Sequence, residues 1–144
     1  MKIFTIGVSR KAAKDFFAFL LDAHIQKVLD IRLNNTSQLL GFSKGADLRY
    51  FCENCHDISY EHVPLFAPTR KILKKYRKDE DWPAYEKAFK GILKNRPIAE
   101  IFKNACKNTE NICLLCSESS ANKCHRRLVA EYLAKHLGLE IEHL

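Results

Sequence analysis

Six residues with usable chemistry crowd into one stretch of the chain: Cys116, Glu118, Cys124, His125, Arg126 and Arg127. Cys124 is the first candidate nucleophile. A thiol in the first turn of a helix, beside His125 and two arginines, is expected to have a depressed pKa. The competing reading is a small buried residue one turn before Leu128. Cys116 is a second candidate at a strand end, with packing against Ile112 and Leu114 as its alternative. Glu118 reads as a general acid or base, as a partner for Arg32, or as a plain loop carboxylate. His125 can position a phosphate or carry a proton, or be an exposed helix residue. Arg126 and Arg32 are the candidate anion binders. Their structural alternative is an ion pair to Asp30 or Glu118.

Further candidates come from elsewhere in the chain. Asp30 and Arg32 interrupt an otherwise apolar strand, and charges there need partners, which points them at a cleft. Tyr60 and His62 share a strand face and are expected at the same cleft, with packing as the alternative for the tyrosine. Ser9 is either a catalytic or binding hydroxyl or the cap of the helix that follows. The set Cys52-x-x-Cys55-His56, with Cys116 and Cys124-His125, has enough sulfur and nitrogen for zinc, but its spacing is unconvincing, so no metal and no cofactor is expected. Cys116 to Arg126 is too long for a cysteine-x5-arginine phosphate loop. No dinucleotide fingerprint, Walker loop or nucleophile elbow occurs.

The elements that must place these groups follow from periodicity. Ile112 to Cys116 is an unbroken apolar run, as in a central parallel strand. Ser117 to Lys123 is polar loop. A helix is expected to start near Asn122 or Lys123 and to end at Gly138 in the left-handed conformation. Upstream, Lys2 to Gly7 is a strand, and a helix capped by Ser9 runs to about His24. Ile25 to Arg32 is a strand, Ala46 to about Cys55 a helix, and Ile58 to Val63 a strand. Helices capped by Thr69 and Asp81 follow, then another from Ile98 to about Cys106. Leu139 to Leu144 is an alternating edge strand. The fold class is α/β, a three-layer α/β/α sandwich with a mostly parallel five-stranded sheet in the order 3-2-1-4-5. Residues 1–144 read as one domain, with a basic helical insert at about 69–106.

The chain of 144 residues carries a formal net charge of +7 and six cysteines. Residues 70–96 hold ten Lys or Arg against four acids, so the excess lies mostly in that insert. It is either a surface for phosphates or a solvated helix face. No apolar run approaches membrane-spanning length, so no membrane partner is expected. Ile3 to Val8 is too short for a signal-peptide core. A cytoplasmic location is expected, with the cysteines as thiols or ligands rather than disulfides.

Taken together, several motifs resemble the family called domain of unknown function 488. They are Thr5-Ile6-Gly7-Val8-Ser9; Asp30-Ile31-Arg32 with Ser37; Tyr60-x-His62-x-Pro64; and Leu115-Cys116-x-Glu118 followed by Cys124-His125-Arg126. Gly41-Phe-Ser-Lys44, Ala67-Pro-Thr69 and Trp82-x-x-Tyr85 look like one branch of it. Members often carry histidine where this chain has Val8. The resemblance implies a small α/β protein with these motifs around one pocket, and supplies no reaction. Three readings of function stand. One is an enzyme acting on a phosphate-bearing substrate, a nucleotide or nucleic acid. Another is a non-catalytic nucleic-acid-binding module using the basic insert. The third is a zinc- or redox-regulated binding protein. Oligomeric state is not legible.

Overall fold

The structure, a computed structural model, describes residues 1–144. Five strands form one all-parallel sheet: β1 (Lys2–Gly7), β2 (Lys27–Asp30), β3 (Ser59–His62), β4 (Asn111–Cys116) and β5 (Glu140–His143). Six α-helices accompany them: α1 (Ala13–Asp22), α2 (Gly45–Tyr50), α3 (Arg70–Asp79), α4 (Trp82–Lys94), α5 (Ile98–Ala105) and α6 (His125–Leu137). Their packing makes two apolar layers. Phe16, Phe17, Leu20, Leu48 and Cys52 cover one sheet face with Phe4, Ile6, Val28, Cys113 and Leu115. Phe89, Leu93, Phe102, Leu128, Val129 and Leu133 cover the other with Ile3, Leu29, Ile31, Ile112 and Leu114. The alternation of strand residues between the layers is the two-residue period of a strand buried on both sides.

The strand order is 3-2-4-1-5, which corrects the expected 3-2-1-4-5. β4, the most apolar strand, takes the centre and pairs with both β1 and β2. The chain moves from β1 through β2 to β3 under α1 and α2 on one face. It returns through α4, α5 and α6 on the other, as right-handed crossovers in opposite directions require. Interposing β4 has a consequence for chemistry. Its C-terminal end now has a strand with an opposite-face connection on each side, so both crevices of the doubly wound sheet flank Cys116.

Local signals explain most helix ends. The Thr69 hydroxyl accepts from the N–H of Ile72, and the Asp81 carboxylate from that of Ala84. Gly138 ends α6 at φ 66°, the left-handed cap. Ser9 does not cap α1. Arg10 adopts φ 59°, which breaks the chain direction, and the helix starts after Ala12 instead. The helix expected from Ala46 to Cys55 is α2 followed by one wide π turn at Phe51–Cys55. No helix is long and apolar enough to cross a membrane.

Candidate functional site

The C-terminal ends of β1, β4 and β2 lie side by side, with Gly7 opposite Cys116 and Asp30 opposite Leu115. Pairing continues past the strands, where the N–H groups of Val8 and Ser9 donate to the carbonyls of Cys116 and Ser117 and that of Ile31 to Leu115. Loop 117–123 leaves this edge, has no regular structure and returns at Cys124, which occupies the N-cap of α6 rather than its first turn.

Cys116 and Cys124 meet beneath that loop. Their sulfurs are 2.7 Å apart, and the residues are 0 % and 2 % exposed. Arg126, 1 % exposed, directs Nη1 at the Cys116 sulfur at 3.5 Å and donates the same nitrogen to the Glu118 carbonyl. Its Nε is buried with no partner. Burial alone would push the Cys116 thiol up, but the Cys124 S–H, the Arg126 guanidinium and the Glu118 N–H together hold it below its ordinary value. Cys124 is pushed up, first by donating to Cys116 and then by burial. The acidification expected for Cys124 therefore falls on its neighbour. The guanidinium lies over the Cys116 sulfur, and only one of two touching thiols can shed its proton readily.

Gly7 is part of this arrangement. A Cβ there would overlap the Glu118 carbonyl and Arg126 Nη1, so the turn after β1 has no room for any larger residue. Lys11 is also close enough to matter. Its ammonium is pulled down by burial and by the Arg126 charge, and Cys116 opposes this. Tyr85, buried on α4, has its hydroxyl pushed up by burial and by the nearby Cys124 and Cys116. Sequence reasoning missed both. Tyr85 was visible only in the Trp82-x-x-Tyr85 pair, and Lys11 carried no signal. Glu118 itself is exposed and has no salt-bridge partner.

Asp30 and Arg32 build a different structure. Arg32 donates Nε to Asp30 at 2.8 Å and Nη2 to its other oxygen at 2.6 Å, so the pair is a two-pronged buried salt bridge. Asn35 and the Tyr60 hydroxyl donate to the same carboxylate, and Ser43 offers its carbonyl to Arg32. Burial opposes ionisation of Asp30, but these donors win and hold the carboxyl below its usual range. Tyr60 belongs to the apolar layer under α1 and α2, whereas Cys116 and Cys124 belong to the layer under α6. The charged strand residues thus face the α2 side, with Arg32 paired to Asp30 and not to Glu118.

Two histidines join the halves. His125 Nε2 lies 2.9 Å from the Ile31 carbonyl, and His62 Nε2 lies 2.7 Å from that of Arg32. A carbonyl only accepts, so each ring must carry its proton on Nε2. Burial first, and Arg126 second, push the His125 pKa down to about 4. It is a neutral donor near pH 7. Ser9 is exposed at the turn after β1. Arg127 faces away from the thiols, pairing with Glu131 and Glu86.

No three His, Cys, Asp or Glu side chains are grouped to hold a metal ion; Cys52 is buried under α2 and Cys55 is exposed. The well-formed surface clefts lie elsewhere. One of about 430 Å³ is lined by Lys90, Leu93, Leu128 and Tyr132, and one of about 450 Å³ by Phe17, Phe42, Phe51 and His56. At the thiol pair the surface is closed by loop 117–123, whose Glu118 and Ser119 carbonyls occupy the Arg126 fork.

No curated protein and no solved structure matches the chain significantly. A family model matches residues 12–133, from the residue before α1 to the third turn of α6, taking in the thiol pair, Arg126 and the Asp30 network. The chain belongs to the family described as domain of unknown function DUF488.

Proposed function

We propose that the protein is an enzyme acting on a phosphate-bearing substrate, a nucleotide or nucleic acid, at the edge where β1 and β4 end. The observation that carries this reading is Arg126, a fully buried guanidinium with an unpartnered Nε beside an acidified thiol at the start of α6. Its present acceptors are two neutral carbonyls of a loop free of large apolar residues. Phosphate oxygens would replace them with acceptors that carry full negative charge and fit the guanidinium fork in two-pronged fashion. The N–H groups and dipole of the α6 N-terminus add to the attraction. In this reading loop 117–123 lifts to admit the anion. Cys116 is the nucleophile, and Cys124 holds its proton and steadies the thiolate. Glu118, at the rim, is the general acid or base, and Lys11 and Ser9 lie at the mouth. His125 and His62 act as donors that fix the backbone of residues 31 and 32. Asp30, Arg32 and Tyr60 keep the β2 end rigid, with Arg32 assisting the anion at longer range.

The test uses inorganic vanadate and phosphate as probes. Both are expected to raise the melting temperature of the wild-type protein and to slow iodoacetamide alkylation of Cys116. Arg126→Lys is expected to lose most of that protection while remaining folded, and Cys116→Ser to keep the thermal shift. Absence of any shift or protection at millimolar anion overturns the reading.

A second reading has its own observation. On α3, Arg70, Lys71, Lys74, Lys75, Arg77 and Lys78 are all exposed, and only Lys75 has an acidic partner, Asp79. This stripe supports nucleic-acid binding. It predicts salt-dependent affinity for a random duplex that falls on reversing Lys74 and Lys78 and is indifferent to Cys116.

A further inference from the structure

We propose that Cys116 and Cys124 are a redox-active pair that closes to a reversible disulfide when a small hydroperoxide reaches Cys116. The inference deepens the proposed function, because it rests on Cys116 being the reactive sulfur of that site, and it makes oxidation an off-switch for the nucleophile.

The geometry supplies the argument. At 2.7 Å the sulfurs stand between ordinary non-bonded contact and the ~2.05 Å of a disulfide bond. Little motion is needed to join them. Cys116 is fixed by the central strand, but Cys124 is an N-cap residue reached through loop 117–123, so the strain of closure can be taken up there. The other thiols are poorly placed. Cys113 and Cys52 lie in the opposite apolar layer, Cys106 lies at the far end of α5, and Cys55 is alone at the surface. Burial pushes Cys52 and Cys106 up to about 12, and Cys113 upward as well, so they remain protonated.

The chemistry balances with the peroxide as oxidant. The Cys116 thiolate attacks one peroxide oxygen; the O–O bond breaks, hydroxide leaves, and Cys116 becomes a sulfenic acid. The Cys124 sulfur then attacks the Cys116 sulfur, the S–O bond breaks, and the thiol proton leaves with the oxygen as water. Two electrons pass from the sulfur pair to the peroxide, and a dithiol reductant returns them. The Arg126 guanidinium favours the first step by holding the thiolate. A peroxide molecule is small enough to enter on local opening of the loop.

The experiment uses the full chain with Cys55→Ser, to remove the exposed thiol. Reduced protein is treated with hydrogen peroxide, quenched, and its thiols are counted after unfolding. Two of the five remaining thiols are expected to disappear and to return with dithiothreitol. Non-reducing peptide mapping is expected to link the Cys116 and Cys124 peptides. With Cys124→Ser, and with Cys124→Ala should serine impair folding, Cys116 is expected to stop at the sulfenic acid and to be trapped by dimedone. Three outcomes overturn the pair: no linked peptide, linkage to a different cysteine, or linkage only in unfolded protein. If Cys116 is alkylated by iodoacetamide in the folded protein and yet no linkage forms, the pair alone is refuted. If Cys116 resists both reagents in the folded state, the proposed nucleophile falls with it.

Discussion

Replacing Asp30 by asparagine separates an architectural role for the β2 network from a binding role. Five hydrogen bonds enter the Asp30 carboxylate: from the Arg32 N–H, Nε and Nη2, from Asn35 and from Tyr60. Asn35 can flip and Tyr60 can turn its hydroxyl to accept, but Arg32 cannot accept at all. In Asp30→Asn one edge of the guanidinium therefore faces an NH₂ group. Arg32 is 2 % exposed, its Nη1 already lacks a partner, and Ser43 leaves it one carbonyl. An orphaned buried charge of this kind costs about 3–5 kcal/mol, against a total stability of about 5–15 kcal/mol. With a urea m-value of about 2 kcal/mol/M, the midpoint should fall by about 1.5–2.5 M. Chemical denaturation followed by circular dichroism measures it. The double variant Asp30→Asn, Arg32→Met should recover part of the loss, because the isolated charge is gone. A midpoint shift below about 0.5 M, or a double variant less stable than Asp30→Asn, refutes the argument. A loss of anion binding without loss of stability would place the network in the site itself.

Other expectations follow from single contacts. The folded His125 pKa of about 4 lies below the unfolded value, so its contribution is whole above about pH 6.5 and is lost as pH falls towards 4. Its ceiling is about 3 kcal/mol. His125→Asn, which keeps a neutral donor, should flatten the difference between urea midpoints at pH 7.5 and 4.5, leaving a smaller slope of the same sign from His143, also lowered by burial. Gly7→Ala should cost about 1–3 kcal/mol through overpacking. Because the added methyl displaces the Glu118 carbonyl, it should also speed iodoacetamide alkylation of Cys116; an unchanged rate would mean that the loop does not rest on Gly7. Arg96 donates to the carbonyls of Leu65 and Ala67, each at 2.6 Å, tying the α4–α5 bend to the turn after β3. Arg96→Met should cost about 1–3 kcal/mol and expose residues 64–69 to limited proteolysis.

The linear order of residues settled the local elements. The apolar run of β4, the caps at Thr69 and Asp81, and the stop at Gly138 each depend on neighbours within a few positions, and they are where periodicity and capping chemistry put them. The meeting of the β1, β2 and β4 ends was also legible, since parallel strands joined by helices must put those ends on one edge. Tertiary structure decided the rest. Strand order depends on which apolar strand wins the centre, and only the packing of two helical layers selects β4. Alternation shows that Asp30 and Arg32 share a face, but not that this face lies under α2, away from the thiols. Which of two cysteines becomes acidic turns on where one buried guanidinium comes to rest, and Arg126 reaches the sulfur of Cys116 only because Gly7, on another strand, leaves the space. Such distances join residues far apart in the chain, and no spacing within the sequence encodes them.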